Sequence, residues 1–266
     1  MRFFARVGPA LVLIPLAPLI AEFLLGDFSV RMLALLLVLA PMYGGGALLI
    51  REVTRRGGRG WPTMLLLATA YALIEEAYAT QSLFNPDYAG ARLLDYGFIP
   101  ALGTSLNWSL FVLSIHVVWS VATPILIVEG LAAERRTTPW LKTPGLIITV
   151  LLFLLGCAAT TNYSLHASPF RASLAQLVSA GVLVLIMVIA AFVIAPPRAA
   201  ADASTSSVPP ASLVALTTLI LAVAFIAIES ALGRGHGLPA LITLAADALC
   251  EIVAAVLILR WSRARE

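Results

Sequence analysis

The sequence predicts an all-α fold, a polytopic transmembrane helix bundle of about eight spans with both termini cytosolic. Of the 266 residues, 61% are hydrophobic and only 12% are charged, and the mean hydropathy is +0.98. Soluble domains carry about 25% charged residues. Several runs of about twenty residues are almost free of charge, which is the length that a membrane-spanning helix needs. These runs are continuous or helical in period and do not alternate, which argues against a transmembrane β-barrel.

Eight apolar runs are candidate spans. They lie at 7–25, 31–50, 62–82, 107–131, 144–160, 174–195, 212–232 and 239–260. The first run follows Arg2 and Arg6 and so resembles a signal peptide, but it is longer than the apolar region of such a peptide. We therefore predict that it is retained as the first transmembrane helix.

The basic residues give the spans a direction. With the N-terminus inside, four of the 17 Arg and Lys residues fall in outer segments and the other 13 in inner ones. The outer four are Arg31, Arg92, Arg171 and Arg234. Cytosolic segments of membrane proteins are enriched in Arg and Lys, so this asymmetry predicts cytosolic termini. The net charge of +3 is too small to indicate nucleic-acid binding, and the expected surroundings are a lipid bilayer.

Composition also indicates a source. Lys142 is the only lysine among the basic residues, and alanine is abundant, which together favour a GC-rich bacterial genome. We therefore expect a multi-pass protein of the bacterial cytoplasmic (inner) membrane.

The predicted spans fall into two groups. Residues 196–211 are rich in Pro, Ala and Ser and indicate a flexible cytosolic linker. This linker separates a six-span membrane bundle, 1–195, from a two-span helical hairpin, 212–266, that is expected to pack on the bundle. A long predicted outer loop at 83–106 contains several aromatic, Gly and Pro residues. It forms either an ordinary packed loop or an interfacial, lid-like segment.

Two adjacent glutamates, Glu75 and Glu76, lie within the apolar run 62–82. A carboxylate at membrane depth costs a few kcal/mol or more, unless water or a partner reaches it. Neighbouring carboxylates repel each other, so at least one of the pair is expected to be protonated near neutral pH. The predicted direction of the span places both in the outer half of the membrane. They are the first candidates for a functional site.

Further polar residues lie at matching depth on other spans. Tyr71, Glu75 and Tyr78 share one face at helical spacing, which lets the phenol hydroxyls approach Glu75, whereas Glu76 is expected to point about 100° away. His116 and Ser120 belong to a polar stripe on the next span.

The last span adds two more acidic candidates. Asp247 and Glu251 are four residues apart, hence neighbours on one helix face. The candidate catalytic residues are thus Glu75, Glu76 and His116, and the candidate binding residues are Tyr71, Tyr78, Ser120, Asp247 and Glu251.

Two features lie toward the inner side. Gly44, Gly45 and Gly46 form a run that weakens a helix. Such a run fits a broken helix that exposes carbonyls to an ion, a hinge, or close helix packing through small residues, which we favour. Glu129 lies near the basic loop, where a structural salt bridge with Arg135 or Arg136 is expected.

A Glu-Glu pair on one membrane helix followed by a His on the next resembles the CAAX-processing and bacteriocin-processing (CPBP) family of intramembrane proteases. The resemblance covers residues 62–131. It implies that Glu75 or Glu76 activates a water as general base and that His116 positions the water or stabilises the oxyanion. Thr80 stands where the family's EExxxR motif has arginine. His166 and His236 fall in predicted outer loops, outside the family's second HxxxN motif.

Other function classes remain open. The acidic residues and the glycine run also fit a cation- or proton-coupled transporter of a small solute. A non-catalytic assembly or signalling protein would use the carboxylates only to hold helices together. The partner would be a membrane peptide for the protease and a small cationic solute for the transporter. Glu and His side chains suit Mn, Fe or Zn, but their spacing matches no known metal motif, so the sequence leaves any cofactor unknown.

Overall fold

The computed structural model describes residues 2–195, 209–229 and 238–263. The α-helices of these segments are α1 Arg2–Pro18, α2 Leu36–Arg56, α3 Trp61–Ile74, α4 Leu106–Ile115, α5 Thr123–Leu131, α6 Thr143–Ala167, α7 Leu174–Val193, α8 Ala211–Ala227 and α9 Ala240–Arg263. Two short strands, β1 Phe98–Ile99 and β2 Thr104–Ser105, pair antiparallel. Most of the predicted linker at 196–211 lies outside the described residues, and so does His236.

Short helical segments of other types connect or extend these helices. The 3₁₀ segments are Val30–Leu35, Tyr88–Gly90 and Ala133–Arg135, and the π-helical segments are Leu19–Leu24, Glu75–Ala79 and His116–Ala122.

The architecture is that of a helical membrane protein, as predicted. Within the described residues, six helical stretches are long and apolar enough to cross a membrane: Val7–Leu24, Val30–Arg56, Leu106–Leu131, Thr143–Ala167, Leu174–Val193 and Ala240–Leu257. The predicted span 62–82 corresponds to α3 and its π-helical extension, which carries the glutamate pair. The span predicted at 212–232 corresponds to the shorter apolar helix α8. The count of eight spans and the cytosolic termini stay predictions.

The described residues fall into two compact units. The first lies within Met1–Gln81 and Ile115–Pro197, and the second within Ser82–Ser114 and Arg198–Glu266. In the first unit, α2 packs against α1 and α6, and α3 packs against α7. In the second unit, α8 contacts α9. Residues 82–114 thus group with the last two helices, whereas the sequence assigned them to a six-span bundle over 1–195.

The glycine run of α2 is a packing surface. The helix continues without a break from Leu36 to Arg56, so the interpretation as a broken helix is wrong. A Cβ atom on Gly44 would collide with the backbone of Ile14 in α1, and one on Gly45 would lie 3.3 Å from the backbone of Phe153 in α6. Close approach of helix backbones through small residues is common in membranes, and the structure confirms that interpretation here.

The segment predicted as an outer loop is packed within the second unit. The Tyr96 hydroxyl donates a hydrogen bond to the Leu238 carbonyl at 2.8 Å. The Asn107 side chain donates to the Ala240 carbonyl at 3.0 Å, and the hydroxyl of Ser105 donates to the carbonyl of Tyr96. Leu94 is buried as well. These bonds favour a packed loop over a lid-like segment.

A buried ion network joins the end of α2 to α5. Arg51 Nε lies 3.0 Å from Glu129 Oε1, and Arg55 Nη2 lies 2.7 Å from Glu129 Oε2. Glu129 thus forms salt bridges with two arginines of α2 that the sequence did not suggest as its partners; the pairing with Arg135 or Arg136 stays a prediction. The backbone carbonyls of Arg135 and Arg136 accept hydrogen bonds from Arg51, at 3.1 Å and 3.0 Å.

The same network fixes the chain that leads into α6. Glu52 accepts hydrogen bonds from the backbone N–H groups of Trp140 at 2.8 Å and Leu141 at 3.0 Å. The Arg51 guanidinium stacks 3.5 Å above the centre of the Trp140 ring. Arg51, Glu52 and Trp140 are fully buried. This end of α2 is therefore part of the core of the first unit.

Candidate functional site

Each π-helical segment of the first unit carries an ionisable side chain. Glu22 lies in Leu19–Leu24, both glutamates of the pair lie in Glu75–Ala79, and His116 begins His116–Ala122. In such a segment the N–H bonds to a carbonyl five residues earlier, as Thr80 does to Glu75 at 2.9 Å. Wide turns of this kind are rare and are frequent at functional sites.

Prolines adjoin two of these wide turns. Pro18 directly precedes the wide turn Leu19–Leu24. Pro124 follows the wide turn His116–Ala122 after one intervening residue, Thr123. Proline has no N–H to offer to the carbonyl four residues earlier, so the regular α-helical bonding pattern cannot continue through it. The sequence thus supplies a local cause for the wide turn at His116.

The wide turn at Glu75 brings both carboxylates to His116. Glu76 Oε1 lies 2.8 Å from His116 Nε2, and Glu75 Oε2 lies 3.2 Å from His116 Nδ1. The sequence predicted that Glu76 points about 100° away from Glu75, and the two side chains nevertheless reach the same imidazole, each at a different ring nitrogen. We call Glu75, Glu76 and His116 the Glu–His cluster.

The Glu–His cluster is enclosed by the first unit. Its three side chains are only 1%, 4% and 7% exposed. Ser120, one of the predicted binding residues, lies 2.9 Å from His116 Nδ1 through its Oγ. The Thr80 hydroxyl lies 3.1 Å from Glu76 Oε2 and donates to it. These contacts fix the orientation of the imidazole and of one carboxylate.

Glu75 and Tyr71 leave hydrogen-bonding capacity for a ligand. Glu75 Oε2 is in ion-pair contact with His116, and the Glu75 carboxylate interacts with the Tyr71 hydroxyl. Among the residues that the structure describes, neither atom makes a hydrogen bond of regular geometry. The Tyr71 side chain is close to Glu75, as predicted. A buried polar atom without a partner costs about 1–3 kcal/mol. Such atoms mark a place where a water, an ion or a substrate completes the bonding.

Two tyrosines form the walls of the site. The ring centres of Tyr43 and Tyr71 lie 6.1 Å and 6.4 Å from that of His116. The Tyr43 hydroxyl donates to Glu22, which occupies the first wide turn. Neither Tyr43 nor Thr80 was among the candidates from the sequence. Thr80 could have been found from its position four residues after Glu76, whereas nothing in the sequence around Tyr43 connects it with the cluster.

Tyr78 does not have the role that its spacing predicted. Its hydroxyl donates a hydrogen bond to the Leu177 carbonyl of α7 at 2.6 Å. Tyr71 lies in α3, whereas Tyr78 lies in the wide turn that begins at Glu75. The two tyrosines therefore no longer share one helix face. Tyr78 therefore connects α7 with the turn that carries the glutamates.

The remaining acidic candidates belong to the second unit. Glu251 accepts a hydrogen bond from the Ser114 hydroxyl. Asp247 is buried and lies near Glu229 and Glu251. His166, expected in an outer loop, instead lies in the last turn of α6, where its Nδ1 is 2.7 Å from the Asn162 carbonyl.

An apolar cavity of about 240 Å³ adjoins Tyr71 in the first unit. It is lined by Gly46, Leu49, Ile50, Val53, Leu67, Ala70, Tyr71, Ile74, Phe153, Val188 and Phe192. Because Tyr71 also faces Glu75, a ligand with an apolar part in this cavity would lie next to the Glu–His cluster.

The two tyrosines of α3 and its extension should differ in their contribution to stability. Tyr78→Phe is expected to lower the free energy of unfolding by about 0.5–1.5 kcal/mol, because a hydrogen bond to α7 is lost. Tyr71→Phe is expected to change it less, because its buried hydroxyl makes no hydrogen bond of regular geometry among the described residues. Denaturation of both variants in the same detergent measures the difference. A larger loss for Tyr71→Phe than for Tyr78→Phe would contradict this assignment of the two hydroxyls.

Comparison with known proteins gives a family. No curated protein and no solved structure matches the chain. The CPBP resemblance of residues 62–131 does not appear in these matches. One family model matches residues 11–266, a range that includes the whole Glu–His cluster, the second unit and the first unit from residue 11 onward. The protein therefore belongs to this uncharacterized membrane protein family.

Proposed function

We propose that the protein is an intramembrane hydrolase of the bacterial cytoplasmic membrane that cleaves an amide bond of a membrane peptide. The convergence of Glu75, Glu76 and His116 within hydrogen-bond distance, inside a helical membrane protein, carries this proposal. Hydrolysis needs a base next to a water and a donor for the oxyanion. The cluster and Tyr71 offer both kinds of group.

The contacts suggest a different role for each residue. Glu75 is the general base, because its buried carboxylate lies next to His116 and the Tyr71 hydroxyl and can accept a proton from a water there. Tyr71 is the oxyanion donor, because its hydroxyl is buried beside Glu75. Glu76 is a positioning residue, because it holds His116 at 2.8 Å. His116 in turn orients Glu75 and the attacking water.

The reaction follows from these roles. Glu75 takes a proton from the water, and the water oxygen bonds to the carbonyl carbon of the substrate. The carbonyl oxygen becomes an oxyanion that accepts a hydrogen bond from Tyr71. The carbon–nitrogen bond then breaks, and the proton held by Glu75 passes to the departing nitrogen. The products are a carboxylic acid and an amine.

The apolar cavity supports a membrane peptide as the substrate class. Its lining is hydrophobic and reaches Tyr71, so an apolar side chain of a transmembrane segment can be buried there while its backbone approaches Glu75. A transporter would need a path through the glycine run. Those glycines instead pack against Ile14, Phe153 and Tyr71 in an unbroken α2.

The test is hydrolysis in a reconstituted membrane. We would incubate purified protein in liposomes with a set of synthetic transmembrane peptides in ¹⁸O-water and analyse the products by mass spectrometry. Wild-type protein is expected to add one ¹⁸O atom to each new carboxyl group. Glu75→Gln is expected to slow this reaction by about 10²–10⁴-fold, the usual contribution of a general base. Tyr71→Phe is expected to slow it by about 10²–10³-fold.

The matched control is Asp95→Asn, which neutralises an exposed carboxylate outside the candidate site and should leave the rate unchanged. Helical circular dichroism and gel filtration establish that each variant is folded. Equal rates in wild type and in folded Glu75→Gln would contradict the proposal. So would the absence of ¹⁸O-labelled products from wild type across the peptide set.

A further inference from the structure

We infer that Glu75, Glu76 and His116 bind one divalent transition-metal ion. This inference deepens the proposed function, because it concerns the same three residues, but it is tested by binding and does not need the reaction. Each of the three offers one ligand atom, and these atoms all lie within 4.8 Å of one another. Three protein ligands that leave further positions open are the usual arrangement of a catalytic metal site.

The unused hydrogen-bonding capacity points to a ligand. Glu75 is 1% exposed, and among the described residues its Oε2 makes no hydrogen bond of regular geometry. This oxygen lies 3.2 Å from His116 Nδ1, so it points into the cluster. The buried Tyr71 hydroxyl interacts with the same carboxylate. A cation between the side chains would take up the lone pairs of Glu75, and a water bound to that cation would reach Tyr71.

The surrounding contacts match those of metal ligands. A ligating imidazole binds the ion through one nitrogen and makes a hydrogen bond through the other, and ligating carboxylates are themselves hydrogen-bonded. His116 Nδ1 is 2.9 Å from Ser120 Oγ and 3.2 Å from Glu75 Oε2, so an ion at Nε2 requires Glu75 to turn toward that side of the ring. Glu76 has its Oε1 beside Nε2 and receives the Thr80 hydroxyl on Oε2. Ser120 and Thr80 therefore already occupy the positions of outer-shell partners.

Charge and ligand type select the kind of ion. Two carboxylates and a neutral imidazole carry a charge of −2, which one divalent cation neutralises in a site that water hardly reaches. Carboxylate and imidazole ligands suit zinc, manganese and iron, and zinc binds most tightly of these three to a given site. When bound, the ion would lower the pKa of a coordinated water and so supply the nucleophile, and Glu75 would then act as a ligand of the ion instead of the base.

The experiment measures zinc and manganese binding to the full-length protein in detergent. The protein is purified with a histidine-free tag, stripped with a chelator, and titrated with ZnCl₂ and then with MnCl₂. Isothermal calorimetry gives the affinity, and mass spectrometry of the eluted protein gives the metal content. Wild type is expected to bind one zinc per chain, and manganese more weakly at the same site.

Variants assign the site. Glu76→Gln and His116→Ala each change a direct ligand of the ion. Loss of an outer-shell partner weakens metal binding by up to about 100-fold, so each of these two variants is expected to weaken zinc binding by more than that. Ser120→Ala, which removes only such a partner, is expected to weaken it by about 10–100-fold. Asp95→Asn, which neutralises an exposed carboxylate, is the matched control and should bind as wild type does. Zinc should also raise the unfolding temperature of wild type and of Asp95→Asn, but not that of Glu76→Gln.

Zinc binding that is equal in wild type and folded Glu76→Gln, or no binding by wild type, would overturn the inference. Zinc binding without peptide hydrolysis would support the metal site and remove the hydrolase. Hydrolysis by chelator-stripped protein that binds no zinc or manganese would support the hydrolase and remove the metal site. The two proposals therefore fail separately.

Discussion

Replacing Glu129 with alanine is expected to lower the free energy of unfolding by about 3–5 kcal/mol, the usual cost of removing one partner of a buried ion pair. Glu129 accepts from Arg51 Nε at 3.0 Å and from Arg55 Nε at 2.9 Å and Nη2 at 2.7 Å. Its loss leaves the guanidinium of Arg51 buried with fewer compensating contacts. The position of Arg51 also sets that of Trp140, on which it stacks, so we expect the chain before α6 to loosen as well.

Denaturant titration in detergent micelles measures this loss, and tryptophan fluorescence reports on Trp140. The matched control is Asp95→Ala, which removes the exposed salt bridge to Arg92 at 2.7 Å. Exposed ion pairs contribute little because solvent screens them, so this variant should unfold like wild type. A similar shift of the midpoint in both variants would show that the burial of the Glu129 network contributes nothing.

The second large effect is expected from one methyl group on the glycine run. Gly44→Ala puts a Cβ atom onto the backbone of Ile14, where neither side can move away as a flexible side chain would. Overpacking of this kind costs about 1–3 kcal/mol, and a backbone clash falls at or above the upper end of that range. The expected result is a destabilised contact between α1 and α2.

Gly8→Ala provides the matched control on α1. A Cβ atom there meets nothing within 4 Å, and alanine favours a helix by about 1 kcal/mol over glycine. The two substitutions are chemically identical and should change the unfolding midpoint in opposite directions. Destabilisation of similar size in both variants would mean that the close approach at Gly44 does not matter for stability.

The sequence predicted the features that depend on composition and on regular periodicity. Apolar runs gave the helical membrane fold, and membrane depth drew attention to Glu75 and His116, which the structure brings within 3.2 Å of each other. Glu76 was assigned to a different face because the prediction used 3.6 residues per turn. Both side chains nevertheless reach His116, at the two nitrogens of its ring, and single-sequence periodicity contains no signal for a contact shared by two adjacent residues.

The buried ion network was missed for another reason. Glu129 pairs with residues 74 and 78 positions earlier in the chain. Arg51 and Arg55 follow an apolar run, so their local context indicates a cytosolic anchor of the helix. Only the packing of α2 against α5 and the segment before α6 turns these arginines inward. Such pairings depend on tertiary structure and cannot be derived from local pattern.

The wide turns also have a consequence for evolution. A π-helical turn accommodates one residue more than the α-helix around it, so it is equivalent to a single-residue insertion within a membrane helix. In relatives that have lost the Glu–His cluster, we expect one-residue gaps near Glu75 and near His116, inside helices where gaps are otherwise rare. Deletion of one residue within Glu75–Ala79 would restore regular helical spacing and separate Glu76 from His116. Gain or loss of the site could therefore have occurred by insertion and deletion as well as by substitution.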